Sequence, residues 1–269
     1  MKSRSAIALA SFGTLCLGVA CLDTTSPVTG IGAITTVIAA IPSVSVGEDS
    51  QDTLGQVQRL RVYVFAPNGD TVRDARVVIL AVDTTKKLRI DSLTGIAHGD
   101  SLSPNAAVVA RVTPASGKGS LQTFVVPFPV VPVPHSATKA SDTLFSFSAP
   151  PTGDTLASSL ISPPLGVTVH GEGAETVPKY LVSFELVRSP PSRNDQPTMV
   201  IVDDAGKEGS VDTTDASGHA SRRLRIRLSA VQFTLLEDTA IVRVHVKHGG
   251  KGLPVTPVDS FVIPVKLKL

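Results

Sequence analysis

Short apolar runs, rich in valine, isoleucine, leucine and threonine, recur along the chain after about the twentieth residue. Proline, glycine, aspartate and serine separate them, and no stretch there has the 3.6-residue period of an amphipathic helix. This punctuation is typical of antiparallel sandwiches with short strands and tight turns. The pattern therefore predicts an all-β protein.

The first part of the chain contains an alternating run, "QVQRLRVYVFA" at 56–66. Leu60, Val62 and Val64 fall on one face of a strand, and Arg59, Arg61 and Tyr63 on the other. "PNGD" at 67–70 predicts a tight hairpin, because Asn-Gly readily adopts positive φ. "ARVVILAVD" at 75–83 is apolar on both faces, as in a central strand. Further strands are expected at 88–91, 106–112 and 121–126.

Proline sets the limits of this first unit. "VPFPVVPVP" at 126–134 must be an edge strand or a stiff extended exit, because proline donates no ladder hydrogen bond. We expect a first sandwich at 33–134, a linker at 135–160 with one short strand in "TLFSFS", and a second sandwich at 161–269. In the second, "RRLRIRL" at 222–228 places Leu224, Ile226 and Leu228 inward and the arginines outward.

The two units share a local motif. Each has an aspartate-containing loop that leads through Gly-x-Ala into a strand, as Gly95-Ile96-Ala97 and as Gly218-His219-Ala220. The glycine would supply the turn, and the alanine would begin the inward alternation. This spacing has a structural reason and requires no chemistry.

These motifs resemble a known family. "TTDASGHASRRLRI" at 213–226 is similar to the strand-entry motif of bacterial immunoglobulin-like domains of the invasin and intimin type, and "YVFAPNGDTVRDARVVI" at 63–79 resembles their earlier hairpin. The resemblance implies two immunoglobulin-like antiparallel β-sandwich domains in tandem. It describes a fold that hosts many functions.

The chain begins with the layout of an export signal. Lys2 and Arg4 precede a short apolar run, and Gly18-Val19-Ala20 lead to Cys21. A small residue before cysteine resembles the lipobox of bacterial lipoproteins, although leucine is usual three residues before the cysteine and Leu17 stands four before it. The resemblance implies a signal peptide at 1–20, lipidation of Cys21 and a tether at 21–32.

Other processing sites remain open. An ordinary signal peptide could end near Ala20, which would leave Cys21 as a thiol. Cleavage before Cys16 is disfavoured because Leu15 is too large for the peptidase. In the lipoprotein interpretation, Leu22 rather than aspartate after Cys21 implies delivery to the outer membrane if the host is Gram-negative.

Charge and composition narrow the partners. The chain has 25 basic and 23 acidic residues, and loss of Lys2 and Arg4 leaves it close to neutral, without an electrostatic footprint for nucleic acid. Tryptophan is absent and aromatic residues make up 4%, which disfavours a carbohydrate-stacking module. We expect membrane attachment through the lipid, and a protein or cell-surface polysaccharide as partner.

Candidate chemistry is sparse. No sequence motif for a serine nucleophile, a zinc-binding helix or a phosphate loop is present, and we predict no catalytic residues, although a triad built from distant histidines stays open. His245 and His248 would point to opposite faces of a strand. Calcium is the one cofactor considered, at four aspartates that turns would also use: Asp203, Asp204, Asp212 and Asp215.

An arginine stripe is the most concentrated charge in the chain. It could meet an anionic surface such as lipopolysaccharide or lipid headgroups, or it could protect an exposed sheet from aggregation. Its members are Arg222, Arg223, Arg225 and Arg227.

The sequence as a whole favours an envelope lipoprotein with a non-catalytic binding, adhesion or structural role. A periplasmic accessory subunit that packs through an edge strand is the first alternative. A hydrolase with an unrecognised site is the second.

Overall fold

A computed structural model describes residues 34–72, 75–81, 86–113, 121–140, 147, 161–191, 198–227 and 235–268. Strands dominate these ranges and no helix occurs in them, which confirms the all-β prediction. Accordingly, no helix in these ranges could cross a membrane. The predicted signal peptide, Cys21 and the predicted tether lie outside the described residues.

Nine strands precede residue 132. They are β1 Thr36–Ala39, β2 Val44–Ser45, β3 Val62–Phe65, β4 Arg76–Ala81, β5 Leu88–Ile90, β6 Ala97–Gly99, β7 Ala107–Thr113, β8 Gln122–Pro127 and β9 Val130–Val131. β4, β7 and β8 form a three-stranded antiparallel sheet with β7 in the centre. β1 pairs with β3, β5 pairs with β6, and β2 runs parallel to β9.

The first hydrophobic core lies between these strands. Leu60 and Val64 are 5% and 3% exposed, whereas Arg59, Arg61 and Tyr63 on the opposite face are more open to solvent. The alternation predicted for this run is therefore confirmed. The strand predicted to be central, β4, instead lies at a sheet edge and exposes Val78 and Leu80 at 46% and 38%. The outer face of β4 is apolar but open to solvent. The prediction of a central strand, which rested on apolar side chains on both faces, is therefore wrong.

Eleven strands follow. They are β10 Pro134–Lys139, β11 Leu165–Gly171, β12 Leu181–Arg188, β13 Met199–Val202, β14 Val211–Thr213, β15 His219–Ile226, β16 Leu235–His245, β17 Lys247–His248, β18 Lys251–Gly252, β19 Val255–Thr256 and β20 Ser260–Lys268. A five-stranded sheet has the order β13-β15-β11-β10-β19, and a four-stranded sheet has the order β14-β12-β16-β20. The second hydrophobic core fills the space between them.

The order of the larger strands is that of an immunoglobulin-like sandwich. In such folds the first, second, fifth and fourth strands form one sheet, and the third, sixth and seventh form the other. Here β10, β11, β15 and β13 form the first set, and β12, β16 and β20 form the second. Leu224 and Ile226 are buried at 0% and 3%, as predicted for the strand β15, whereas Leu228 lies outside the described residues.

The chain passes from one core to the other inside β9. Val130 belongs to the first core and Val131 to the second, with 1% and 2% exposure. Successive side chains of a strand point to opposite faces, so one peptide unit serves both cores. All described residues belong to one compact unit. The division into domains at 33–134 and 161–269 stays a prediction.

Residues 135–139 differ from the expected linker. They form most of β10, which pairs with β11 on one side and β19 on the other, and Ala137 and Lys139 are 0% and 4% exposed. This segment lacks the apolar run that normally predicts a strand. It is a strand because its backbone pairs on both sides and a small residue, Ala137, fits into the core. In "TLFSFS", Phe147 is fully buried and bridges to Val265, while the rest lies outside the described residues.

The repeated Gly-x-Ala motif forms matching turns. Gly95 and Gly218 both have a φ of 73°, and the alanines two residues later, Ala97 and Ala220, are 0% and 1% exposed. In each loop an aspartate Oδ1 accepts a hydrogen bond from the amide two residues later, Asp91 from Leu93 and Asp215 from Ser217. The glycine and alanine thus have the roles predicted for them.

One related hairpin has alanine where the others have glycine. In the turn at 203–207, the Asp203 amide donates to the Lys207 carbonyl and the Gly206 amide to the Asp203 carbonyl. The turn at 171–175 has the same bonds, but Ala174 occupies the glycine position with a φ of 62°. An alanine there is strained because its Cβ crowds the following carbonyl.

Ala174→Gly should therefore stabilise the protein. Relief of the left-handed strain exceeds the added entropy of the unfolded chain, so the free energy of unfolding should rise by about 0.5–1 kcal/mol in chemical denaturation. Ala205→Gly is the matched control, because Ala205 precedes the glycine of the related turn and lacks a positive φ. It should destabilise the protein, and stabilisation by Ala205→Gly, or none by Ala174→Gly, would contradict the prediction.

Candidate functional site

The arginines of the stripe, on β15 and directly after it, form ion pairs with carboxylates. Arg223 Nε lies 2.7 Å from Asp204 Oδ1, and Glu208 Oε1 lies 3.1 Å from Arg225 Nη2 and 2.6 Å from Arg227 Nη2. Arg222 lies 3.4 Å from Asp212 and also donates to the Val211 carbonyl. The hairpin between β13 and β14 brings Asp204 and Glu208 beside the stripe.

Two of these arginines are cross-strand neighbours of apolar side chains. Val200 and Val202 of β13 pair with Arg225 and Arg223 and share their outward face, yet they are only 9% and 0% exposed. Arginine stems shield apolar surface well while the guanidinium groups stay near water. Hydrogen bonding from Arg227, with the charges of Arg227 and Arg225, holds the pKa of Glu208 below its usual value.

The predicted contact of this stripe with an anionic surface stays a prediction. Any anion would have to compete with the existing ion pairs. Glu208 was missed in the sequence, because its proximity to β15 depends on a hairpin that folds back over the sheet.

The four predicted calcium ligands serve separate turns and pairs. Asp203 Oδ1 accepts from the Lys207 amide at 2.8 Å, and Asp212 Oδ2 accepts from the Ser221 amide at 2.8 Å. Asp204 pairs with Arg223. Asp215 accepts from the Ser217 hydroxyl and the His219 amide, and these bonds lower its pKa.

The structure therefore does not unite these aspartates as one ligand set. Within the described ranges, no three or more histidine, cysteine, aspartate and glutamate side chains are grouped so as to hold a metal ion. Calcium binding stays a prediction.

Several histidines bond to carboxylates. Asp49 Oδ1 lies 2.9 Å from His98 Nδ1, Glu185 Oε2 lies 2.7 Å from His245 Nε2, and Glu48 Oε1 lies 2.8 Å from His248 Nε2. Among the described side chains, no histidine has a hydrogen bond to a serine hydroxyl, the contact that would pair a base with a nucleophile. These three histidines are engaged in hydrogen bonds to carboxylates.

The His248 pair joins the two parts of the molecule. Glu48 follows β2 beside the first core, and His248 lies on β17 beside the second. His248 Nδ1 also lies 3.3 Å from the Tyr180 hydroxyl, which donates to the Lys247 carbonyl at 2.7 Å. Gln51 completes the network, because its Nε2 donates to Glu48 at 3.2 Å and its Oε1 accepts from the Gly249 amide at 2.9 Å. We call this set the junction.

Two further contacts extend the junction. The Ser43 hydroxyl donates to the Lys179 carbonyl at 2.6 Å. At Gly55, a Cβ would lie 2.7 Å from the Gly250 nitrogen, so only glycine allows the hairpin at 52–56 to approach the turn at 248–250 so closely. The junction was not predictable from the sequence, because Glu48 and His248 are 200 residues apart in the chain.

A groove of about 680 Å³ opens beside β12. β14 pairs with β12 only at Leu181–Ser183, and the Phe184 amide makes one more bond to the Ser210 carbonyl. From Glu185 to Arg188, no described strand pairs with that side of β12. Charged and polar residues, among them Glu185, Glu208, His245 and Lys247, line the groove together with apolar ones from both sheets and from the hairpin at 52–56. The apolar ones are Leu54, Phe184, Leu186, Met199, Val200 and Ile201.

Tyr180 makes the junction sensitive to alkaline pH. Burial, with a smaller contribution from the charge of Glu48, raises the pKa of Tyr180 well above its usual value. The unfolded chain therefore loses this proton at lower pH than the folded chain does. Stability should be unaffected by this group below about pH 10 and should fall as the pH rises further.

Tyr180→Phe should weaken this alkaline loss of stability. The measurement is urea denaturation at a series of pH values, and the control is Tyr63→Phe, which removes a hydroxyl from a side chain that is 53% exposed. We expect the slope of stability against pH to be shallower for Tyr180→Phe and unchanged for Tyr63→Phe. Equal slopes in all three proteins would contradict the role given to Tyr180.

Comparisons with known proteins find weak structural likenesses. No family model matches the sequence, and no curated protein matches it. The adhesin InvE of Yersinia pseudotuberculosis aligns with a TM-score of 0.34 and 16% identity over 89% of this chain, which spans only 61% of InvE. The D00-D0 domain of intimin gives 0.26 and 12%, covering 85% of this chain and 99% of that one. The Escherichia coli adhesin FdeC gives 0.29 and 14%, covering 87% and 65%. Likenesses at this level assign neither a family nor a function.

Proposed function

We propose that the chain is an envelope-anchored lipoprotein with a non-catalytic binding, adhesion or structural role. Immunoglobulin-like sandwiches carry the role, and the acylated Cys21 holds them at the membrane, which is the outer membrane if the host is Gram-negative. The partner would be a protein or a cell-surface polysaccharide. The anchor itself rests on the sequence around Cys21.

The junction is the observation that supports this role best. A spacer or adhesin must hold a binding surface in a defined position relative to its anchor. Here one strand, β9, serves two cores, and hydrogen bonds through Glu48, Gln51 and His248 fix the adjoining loops. These polar side chains are of types that can also line a binding cleft, but here they join two parts of the chain.

Acylation can be tested with the two cysteines. Cells that express the full chain are grown with radiolabelled palmitate, and the immunoprecipitated protein is examined for label. Cys21→Ala should abolish labelling because it removes the thiol that accepts the lipid. Cys16→Ala is the matched control and should label normally, since Cys16 is expected to leave with the signal peptide. Label on Cys21→Ala, or its loss in Cys16→Ala, would contradict the anchor.

The groove beside β12 favours a second candidate function, that of an accessory subunit in a larger envelope complex. An unpaired strand edge next to an apolar groove can accept an extended segment of another protein, with backbone pairing for affinity and side-chain insertion for specificity. Leu54 and Leu186, which are the more accessible apolar residues of the groove, would contact the inserted side chains.

A further inference from the structure

The outward face of β3 and β1 carries an unusual combination of side chains. We call it the β3 face and define it by Arg59, Arg61, Tyr63 and Ile38. Ile38 pairs directly with Tyr63, and the two are 51% and 53% exposed. Arg59 and Arg61 continue the stripe, and both are exposed. Apolar, amphipathic and cationic groups thus lie together on one surface.

The arginines of this face differ from those of the second sandwich. The described pairs engage Arg222, Arg223, Arg225 and Arg227 with carboxylates, whereas no ion pair in the described part of the chain involves Arg59 or Arg61. One carboxylate, that of Asp52, lines the same shallow hollow, but it accepts hydrogen bonds from the amides of Leu54 and Gln56. The β3 face therefore keeps an excess of positive charge.

The position of the face relative to the anchor is informative. The part of the tether that follows Cys21, from Leu22 to Gly32, has 11 residues and spans at most about 40 Å when fully extended. Only three residues then separate the tether from β1, which begins at Thr36. An acylated Cys21 would therefore keep the β3 face within reach of the lipid headgroups.

We propose that the β3 face rests on the anionic headgroups of the membrane that holds the lipid anchor. Arg59 and Arg61 contact lipid phosphates, and Tyr63 and Ile38 enter the interfacial layer, where an amphipathic ring is favourable. This inference deepens the proposed function and rests on its lipid anchor. A second copy of the chain is a poorer occupant, because two β3 faces would bring like charges together.

The test uses a chain that begins at Leu22, so binding cannot come from the signal peptide or the lipid. All described strands lie beyond residue 33 in one compact unit, so this chain retains them. It is mixed with vesicles of phosphatidylglycerol or of phosphatidylcholine, and binding is measured by flotation. The mature chain is close to neutral, so binding to phosphatidylglycerol requires a local site.

We expect binding to phosphatidylglycerol that weakens about fivefold for each arginine removed in Arg59→Gln and Arg61→Gln. Ile38→Ser should weaken it as well. Arg188→Gln is the matched control, because it removes an exposed arginine that pairs with Asp238 beside the second core, and it should leave binding unchanged. Circular dichroism verifies the fold of each variant.

Three results would overturn the proposal. One is the absence of binding to phosphatidylglycerol, or equal binding to phosphatidylcholine. Another is an equal loss of vesicle binding in Arg188→Gln, which would show that binding depends only on the total charge of the protein. The third is self-association of the chain that Arg61→Gln abolishes, which would show that a second copy of the chain, and not the membrane, covers the β3 face. None of these results depends on Cys21, so failure here is distinguishable from failure of the anchor.

Discussion

The connection between the two cores is the constraint on which the rest of the structure depends. Val130 and Val131 are consecutive in β9, yet each is buried in a different core. No flexible linker separates them, so the loops on either side must fit together. Glu48, Tyr180 and His248 achieve this with hydrogen bonds that are partly shielded from water, where an unmade bond is costly, and Gln51 accepts a more exposed one from the Gly249 amide. Each core is small, and the junction makes their positions interdependent.

Charge is used differently in the two parts of the molecule. On β15 and directly after it the arginines pair with Asp204, Glu208 and Asp212, and two of them are cross-strand neighbours of Val200 and Val202 on the outer face of the sheet. On the β3 face the arginines stand beside exposed apolar groups, and none of the described carboxylates is in ion-pair contact with them. The longer arginine run, at 222–227, thus forms ion pairs within the fold. The shorter one, Arg59 and Arg61, leaves its positive charge available to a partner.

Local features were predictable from the sequence, and long-range ones were not. The alternation at Arg59–Val64 identified β3 and both of its faces, because a strand has a period of two. The turns at Gly95 and Gly218 were predictable because positive φ favours glycine. β10 was missed because its one apolar core side chain is Ala137, and its pairing with β11 and β19 is visible only after folding. The junction and the position of Glu208 are likewise visible only after folding, because sequence patterns do not predict polar pairs between distant loops.

Hydrogen–deuterium exchange, read by mass spectrometry on the full chain with Glu48→Ala and with Glu185→Ala as control, tests the junction most directly. Both substitutions remove a glutamate that pairs with a histidine, but only Glu48 connects the two parts. We expect faster exchange for Glu48→Ala in residues 43–52 and also in 247–253, while β7 and β15 stay protected, and neither segment should change in Glu185→Ala, whose partner His245 lies outside both. Faster exchange around residue 48 alone, with 247–253 unaffected, would contradict a junction that holds the two cores together.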